Sequence, residues 1–497
     1  MIRITAFAGK TVAVFGLGAS GNATVAALLA GGANVAAWDD SETGRAAALV
    51  AGSPIVDLAA ADWSQFAALV LTPGVPLTHP EPHWTVVKAR AAGIEIIGDI
   101  ELFCRERAAT CPDAPFIAIT VTNGKSTTTA LIAHILKSAG LDVQMGGNIG
   151  RAILTLEPPA QSRYHVIEMS SFQIDLTPSL NPSVGVLLNI TPDHIERHGT
   201  LENYAAVKER LVAASGVAVI GMDDELCAGI ARRLEEGGKI VRRIRTGLPG
   251  IHEYGMDEEF VCFDTRFKGR VRVVSLHGIG SLRGRHNAQN AVTAFAATWD
   301  HVRPDAYPQA YATFPGLAHR MEEIGRVGRV LYVNDSKATN ADSTEKALLS
   351  FPRDVFWIVG GQAKDGGIEP LRAYFPDIVR AYLIGSSSDE FGKSLDGDAA
   401  IIPCGTLDVA VSRAAADAAA YAAGEAMPLY NVQGFNGVGT LVPGIGPHPS
   451  SSTSAQPVVL LSPACASYDQ YKNFEQRGEH FRHLVSALPG VELRQPK

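Results

Sequence analysis

The run Thr122-Asn123-Gly124-Lys125-Ser126-Thr127 is the part of this 497-residue chain best suited to chemistry. It follows residues 115–119, an apolar stretch that reads as a strand. It precedes Ala130, Leu131, Ile132, Ile135 and Leu136, whose spacing predicts a helix. A turn between strand and helix offers free backbone N–H groups and the positive end of the helix dipole, which together favour a polyphosphate. Lys125 can then reach the terminal phosphates and the Ser126 hydroxyl can bind magnesium, which is the chemistry of an ATP site. The pattern G-x-x-x-x-G-K-[ST] is not met, because Ile119 stands where it requires glycine.

Two further stretches place polar groups where such a site needs them. Residues 164–168 and 187–190 read as strand segments, the first ending in Glu168 and the second leading to Asp193-His194. In parallel α/β sheets ligands bind outside the carboxyl ends of the strands, so Ser126, Glu168 and His194 are expected to converge there. A mixed oxygen and nitrogen set of this kind suits a magnesium ion that stays partly hydrated and shares ATP phosphates. Asn148, in Gly146-Gly147-Asn148-Ile149-Gly150, could hold an anionic group or belong to a plain turn. Lys208 lies on a predicted helix over 204–211, where a lysine is ordinarily a solvated charge. Asn287 and Asn290, one turn apart on an Ala-rich helix, could serve adenine or cap the helix.

These groups need elements to position them. Residues 11–15 form an apolar strand running into Gly16-Leu17-Gly18-Ala19-Ser20-Gly21, followed by a helical stretch, a strand over 35–38 and Asp39. That is the dinucleotide fingerprint in strand and helix context, and it accepts the diphosphate of NAD or of a UDP-sugar alike. A strand over 69–71 ends in Thr72-Pro73-Gly74, at the edge of the same crevice. The low-complexity residues 108–115 read as a linker, so a first domain ends near residue 110. Beyond residue 314, strands over 331–334, 355–359 and 381–384 each run into a polar or glycine-rich turn, which describes another doubly wound sheet. Residues 431–456, rich in Gly, Pro and Ser, read as a flexible surface insertion.

Composition bounds the rest. The length suggests about three domains, and 46% apolar with 19% charged residues is ordinary for a globular protein. A net charge of −8 argues against a nucleic-acid or anionic-membrane partner. The six cysteines form no C-x-x-C pair, which favours reduced thiols over disulfides or zinc. No uncharged run approaches the roughly 20 residues of a membrane helix, and residues 1–5 show no signal-peptide pattern. A cytoplasmic protein is expected.

Three stretches together resemble the Mur ligases over nearly the whole chain, apart from the insertion. They are the phosphate loop, the turn Asn334-Asp335-Ser336-Lys337-Ala338-Thr339-Asn340, and the tail Ser462-Pro463-Ala464-Cys465-Ala466-Ser467-Tyr468-Asp469-Gln470-Tyr471-Lys472-Asn473-Phe474-Glu475-Gln476-Arg477-Gly478. The tail points to the D-glutamate-adding members. The Asp-Asn-Pro-Arg motif of the members that add a diamino acid is absent.

The resemblance implies an α/β fold of three domains: an N-terminal Rossmann-like UDP-binding domain (1–110), a central P-loop ATPase-like domain (111–313) and a C-terminal Rossmann-like amino-acid-binding domain (314–497). It implies that Gly16, Gly18, Ser20, Gly21, Asp39, Thr72, Pro73, Gly74 and Asn148 lie near a UDP-sugar and not NAD. Val121, Thr122, Asn123, Gly124, Lys125, Ser126 and Thr127 would cradle ATP, with Asn287, Arg320 and Asp335 also at the nucleotide. Ser126, Glu168, His194 and Lys208, the last as a carbamate formed with carbon dioxide, would surround Mg2+, and Lys125 would join Glu168, His194 and Lys208 as the catalytic set. Lys337, Thr339, Lys364, Ser467 and Phe474 would hold D-glutamate.

The implied reaction is ATP-dependent amide formation between UDP-N-acetylmuramoyl-L-alanine and D-glutamate through an acyl phosphate, in cytoplasmic peptidoglycan precursor synthesis. A monomer acting on small molecules is expected, with domains closing on ATP to exclude water. Folylpolyglutamate synthases resemble the central region only and would leave the N-terminal unit unexplained. One position departs from the family loop, which has glycine at Val121. If that position needs a positive φ, strain of about 1–3 kcal/mol is expected, and the chain would be a non-catalytic UDP-sugar-binding relative.

Overall fold

The structure is a computed structural model that describes the chain except residues 267–268, 352, 365, 429, 434–438, 443–455 and 495–497. It contains two compact units, Met1–His277 with Arg285–Thr313, and Gly278–Gly284 with Phe314–Lys497. Among the described residues no helix is long and apolar enough to cross a membrane.

The first unit holds two sheets. Strands β1 (Thr11–Phe15), β2 (Asn34–Trp38), β3 (Ala68–Leu71) and β4 (Glu95–Ile97) pair in parallel in the order β2-β1-β3-β4. Apolar runs such as Ala68–Leu71 are buried throughout, as a sheet covered on both faces requires. The order reverses between β1 and β3, which opens a crevice at their carboxyl ends. Gly16 lies there at φ +93, and a Cβ on it would stand 2.0 Å from Thr72 Oγ1, so the fingerprint glycine is a steric necessity.

The second sheet has nine strands: β5 (Phe116–Thr120), β6 (Asp142–Gly147), β7 (Arg163–Glu168), β8 (Val184–Leu187), β9 (Val217–Gly221), β10 (Ile240–Ile244), β11 (Glu253–Asp257), β12 (Phe260–Thr265) and β13 (Gly269–Ser275). Their order is β13-β12-β11-β10-β9-β8-β5-β7-β6. Pairing is parallel from β6 to β11 and antiparallel from β11 to β13, a meander that the doubly wound pattern does not announce. Strand β5 lies between β7 and β8, and Ile119 is in register with both Glu168 and Val186. The loops after these three strands therefore share one edge.

The segment read as a linker is more ordered than its composition suggests. The helix Asp99–Thr110 runs through its first residues, and Arg107 Nε donates to Ala114 O at 2.8 Å, so the turn at Ala114 is buried and tied back to the helix.

The second unit is a seven-stranded sheet of β14 (Glu322–Val327), β15 (Val330–Asn334), β16 (Val355–Gly360), β17 (Ile378–Ile384), β18 (Ala400–Gly405), β21 (Val458–Leu461) and β22 (Val491–Leu493), ordered β18-β17-β16-β21-β15-β14-β22. Its centre is parallel, while β14 pairs antiparallel with both β15 and β22. Alternate residues feed two cores: Phe356, Ile358 and Tyr382 pack on one face, and Trp357, Val359 and Leu383 on the other. Two short strands, β19 (Tyr430–Gln433) and β20 (Gly439–Val442), pair antiparallel. The rest of the predicted insertion, save Gln456, lies outside the described residues.

Candidate active site

The loop after β5 is held in shape by the loop after β8. Asn189 O accepts from Thr122 N at 3.0 Å, and its side chain accepts from Asn123 N and donates to Asn123 O, both at 2.9 Å. Thr122 Oγ1 accepts from Thr191 N at 3.1 Å and lies 3.2 Å from the Tyr204 hydroxyl. Polar side chains thus anchor the loop. Gly124, at φ +97, starts the helix Lys125–Ser138, with Ser126 and Thr127 in its buried first turn. Lys125 Nζ donates to Val121 O at 2.7 Å and Thr122 O at 3.0 Å, so it lies over the carbonyls of its own loop.

The helix Arg285–Thr298 packs beside this turn. Thr128 Oγ1 donates to Asn290 Oδ1 and Asn290 Nδ2 donates to Asn287 Oδ1, each at 3.0 Å. Asn290 is therefore a cross-link in the interior of its helix and not a cap.

Glu168 ends β7 at 2% exposure. Asn148 Nδ2 donates to its Oε1 at 2.8 Å, while Oε2 is buried with no hydrogen-bond partner. An orphaned carboxylate oxygen in such a place is costly unless a cation completes it, so the donor set fits a magnesium ion. Among the described residues no three His, Cys, Asp or Glu side chains cluster as a metal site, so water, phosphate or other oxygens would have to complete the shell. His194 is more open, at 44% side-chain exposure, 3.5 Å from Asp193 Oδ2 and 3.6 Å from Glu196 Oε1, with its ring 4.9 Å from Phe172. Its φ of +55 is unusual for a side-chain-bearing residue.

Lys208 is not a solvated charge. The helix Leu201–Ala214 buries it to 1% exposure, and Nζ donates to Thr120 Oγ1 and Val121 O, each at 3.0 Å. The Tyr204 ring lies 4.7 Å away. Burial first, and the Lys125 ammonium second, push Lys208 well below the usual lysine range. A surface lysine and this one look alike in sequence, because only the packing of the helix against β5 removes the water.

At the crevice beyond β1 and β3, Asp39 accepts from Leu17 N at 2.6 Å and from Ser41 N at 2.8 Å. Its carboxylate thus ties the fingerprint turn to the end of β2. The neighbouring turn Thr72-Pro73-Gly74 is fixed by Val75 N donating to Thr72 O at 3.1 Å.

In the second unit, Asp335 immediately follows β15 and is buried, accepting from Met321 N at 3.1 Å and Ser462 Oγ at 2.8 Å. Burial pushes its carboxyl up to about 7, against those hydrogen bonds and nearby Arg320. The folded state then holds a proton that an unfolded carboxyl near 3.8 has released, so its contribution to stability falls as pH rises from about 4 to about 7. Urea midpoints are expected to show this fall in the wild type relative to Asp335→Asn; parallel pH curves for the two would remove the assignment.

Lys337 Nζ lies 5.5 Å from the Phe474 ring centroid, which brings together two residues far apart in sequence. Ser336, next to Lys337 in the chain, is held by Arg477, which sequence reasoning did not single out. Ser336 Oγ donates to Phe474 O at 2.9 Å, and Arg477 donates to Ser336 Oγ at 3.0 Å, Ser336 O at 2.8 Å and Cys465 O at 3.0 Å. Burial lowers this guanidinium to about 10. Ser467 is buried nearby in the chain, its carbonyl accepting from Gln470 N and Tyr471 N. Thr339 is half-buried and Lys364 is exposed, in a loop tied to Ala466 through Gln362.

A Mur ligase middle domain matches residues 119–298. The UDP-N-acetylmuramoylalanine-D-glutamate ligase of Nitrobacter winogradskyi is 55% identical over 495 residues, covering 99% of both chains. That of Brucella abortus is 54% identical over 493 residues, covering 99% of this chain and 98% of its own. The chain belongs to the UDP-N-acetylmuramoylalanine-D-glutamate ligase family. The UDP-N-acetylmuramate-alanine ligase of Thermotoga maritima shares the fold of this Mur ligase, with a TM-score of 0.54 at 16% identity over 96% of this chain and 99% of that one.

The strain expected at Val121 is absent from this ligase. Val121 is not among the residues with positive φ, and its side chain is fully buried; the left-handed position in the loop is Gly124. A β-branched residue is compatible with that backbone, so valine here does not impair the loop through strain. Val121→Gly is therefore expected to leave turnover no higher and to destabilise the fold by about 2–4 kcal/mol through a cavity and added chain entropy. Steady-state rates and urea melts check this, and a large gain in rate would restore the impaired-loop reading.

Proposed function

We propose that this Mur ligase joins the amino group of D-glutamate to the alanyl carboxylate of UDP-N-acetylmuramoyl-L-alanine, with ATP as the phosphate donor. The observation that carries the reading is the shared carboxyl edge of β5, β7 and β8, where a pre-shaped phosphate loop and an orphaned Glu168 oxygen lie on adjoining strands and their loops, and the buried Lys208 reaches the end of β5 from the helix Leu201–Ala214.

In this reading Val121 to Thr127 receive the ATP phosphates through backbone N–H groups and Lys125, with Asn287, Arg320 and Asp335 also serving the nucleotide. Ser126, Glu168, His194 and a carbamylated Lys208 are the residues to hold Mg2+, which supplies neutralisation of phosphate charge when bound. Gly16, Gly18, Ser20, Gly21, Asp39, Thr72, Pro73, Gly74 and Asn148 serve the UDP-sugar. Lys337, Thr339, Lys364, Ser467 and Phe474 serve D-glutamate, with the lysines matching its carboxylates.

The alanyl carboxylate oxygen attacks the γ-phosphorus, an O–P bond forms and the bond to ADP breaks. The D-glutamate amine then attacks the acyl carbon. A C–N bond forms, phosphate leaves, and the amine gives up a proton. The protein's part is positioning and charge neutralisation, with no enzyme nucleophile. A cytoplasmic monomer with no nucleic-acid partner belongs to the same proposal.

Phosphate release assayed with ATP, magnesium, UDP-N-acetylmuramoyl-L-alanine and D-glutamate tests it. Release is expected to need all four and to fail with L-glutamate in place of D-glutamate. Release without the amino acid, or equal release with L-glutamate, would overturn the proposed specificity.

A further inference from the structure

Arg197, on the short helix Ile195–His198, ties the two sheets of the first unit together. Its Nη1 donates to Gly74 O at 2.9 Å, and its Nη2 donates to Val75 O at 3.0 Å and Pro73 O at 3.4 Å. The guanidinium also lies 4.3 Å from the centroid of the Phe172 ring. Phe172 follows Glu168 by four positions, and its ring touches His194. One cation thus gathers three consecutive carbonyls from the loop after β3 and stacks on a residue beside the phosphate-side groups.

This arrangement has a specific physical demand. Three successive carbonyl dipoles directed at one point repel unless a cation faces them, and a charged donor makes such bonds stronger than a neutral one. Arginine meets the demand because its planar fork offers several donors while its face remains available to an aromatic ring. Lysine offers a compact charge without that fork or face. Without Arg197, the Pro73-Gly74-Val75 turn retains the Val75 N to Thr72 O bond but loses its anchor on the second sheet.

We propose that Arg197 is a positioning residue for the UDP-sugar: it locks the Pro73-Gly74-Val75 turn to the Phe172 and His194 side of the unit, and so sets where the sugar-borne carboxylate stands relative to the ATP phosphates. The inference rests on the function proposed above. It assigns Arg197 no contact with the reacting atoms. It predicts selective damage, because the anchored loop belongs to the sugar crevice while the phosphate loop is held separately by Asn189, Thr191 and Asn290.

The test compares the full-length wild type with Arg197→Ala and Arg197→Lys. Calorimetry reads UDP-N-acetylmuramoyl-L-alanine and ADP binding separately, steady-state kinetics read KM for each substrate, and thermal unfolding reads the fold. For Arg197→Ala the affinity for UDP-sugar is expected to fall and its KM to rise about 10- to 100-fold, from the loss of charge-assisted hydrogen bonds. ADP affinity and the KM for ATP should stay within about twofold, well under the tenfold that 1.4 kcal/mol represents. Arg197→Lys should recover part of the loss, since it keeps the charge, and methylguanidine added to Arg197→Ala should recover more than added methylammonium.

Equal UDP-sugar affinity in wild type and Arg197→Ala would overturn the inference alone, leaving the proposed function intact. Parallel loss of UDP-sugar and ADP binding with a collapsed melting transition would reduce Arg197 to a structural residue and also overturn it. A wild type that binds no UDP-sugar would overturn the proposed function and this inference with it.

Discussion

Alanine at Lys208 is expected to lower phosphate release by about 10²- to 10³-fold, the scale seen when one buried charge-stabilising group is removed from a phosphoryl or acyl site. The physical reason begins with the helix Leu201–Ala214, which carries the amine into a place where, among the described residues, Thr120 Oγ1 and Val121 O face it at hydrogen-bond distance. An ammonium there has three N–H groups for those two acceptors, with the Tyr204 ring face nearby. A neutral amine has two N–H groups, which the acceptors satisfy, and it keeps a lone pair.

That lone pair is what attack on carbon dioxide requires. A N–C bond forms, one proton leaves for solvent, and the product is an anion. Enzyme prepared in carbon-dioxide-free buffer is expected to lose most of its turnover and to regain it with bicarbonate. Carbon-13-labelled bicarbonate should give a carbamate resonance that Lys208→Ala lacks. Full activity without carbon dioxide, or an unchanged spectrum in the variant, would refute the carbamate. Alanine also removes the Lys208 donor from the Thr120 hydroxyl and leaves Lys125 as the side-chain donor to the Val121 carbonyl, so a melting curve should accompany the kinetics.

The second large effect is expected at Gly124. Alanine there meets two penalties that are independent of each other. A φ of +97 is unfavourable for any L side chain, at about 1–2 kcal/mol. Its Cβ would also stand 2.4 Å from Asn290 Oδ1, an atom already fixed by Thr128. Asn290 cannot yield without releasing both Thr128 and Asn287, so the strain passes to the loop proposed to receive phosphate.

Gly140, beyond the other end of the same helix, supplies the control, because it has φ +81 but nothing within 4 Å of its Cβ position. Gly140→Ala should cost about 1 kcal/mol of stability and leave nucleotide binding alone. Gly124→Ala should weaken binding of a fluorescent ATP analogue about 100-fold, if most of a 2–3 kcal/mol distortion falls on the bound state. Similar analogue affinities in the two variants would mean that the loop does not depend on the Asn290 contact.

The parts of this protein that sequence alone determined are those set by local rules. The strand, turn and helix units at Gly16 and again at Gly124 were legible, because a glycine at a strand-to-helix turn marks a place where backbone N–H groups at a helix start lie free for an anion. Glu168 was legible for a related reason: a carboxylate closing an apolar run falls at the edge of a parallel sheet, where ligands collect. The tail ending in Phe474, Arg477 and Gly478 and the turn at Asp335 placed the chain among the ligases by resemblance, before any contact between them was known.

Tertiary structure decided what depends on neighbours remote in sequence. Lys208 reads as a solvated charge until the helix carrying it packs beside β5 and takes away its water. Val121 suggests strain until its backbone is seen to lie outside the left-handed region, with Gly124 taking the demanding φ instead. Arg477 and Arg197 have no distinguishing local pattern, since a buried guanidinium and an exposed one share the same letter. Their roles come from carbonyls brought to them by other segments: Ser336 and Cys465 for one, Pro73, Gly74 and Val75 for the other. Local backbone chemistry is encoded within a few residues of its site, whereas desolvation and convergent hydrogen bonding exist only after distant segments have packed.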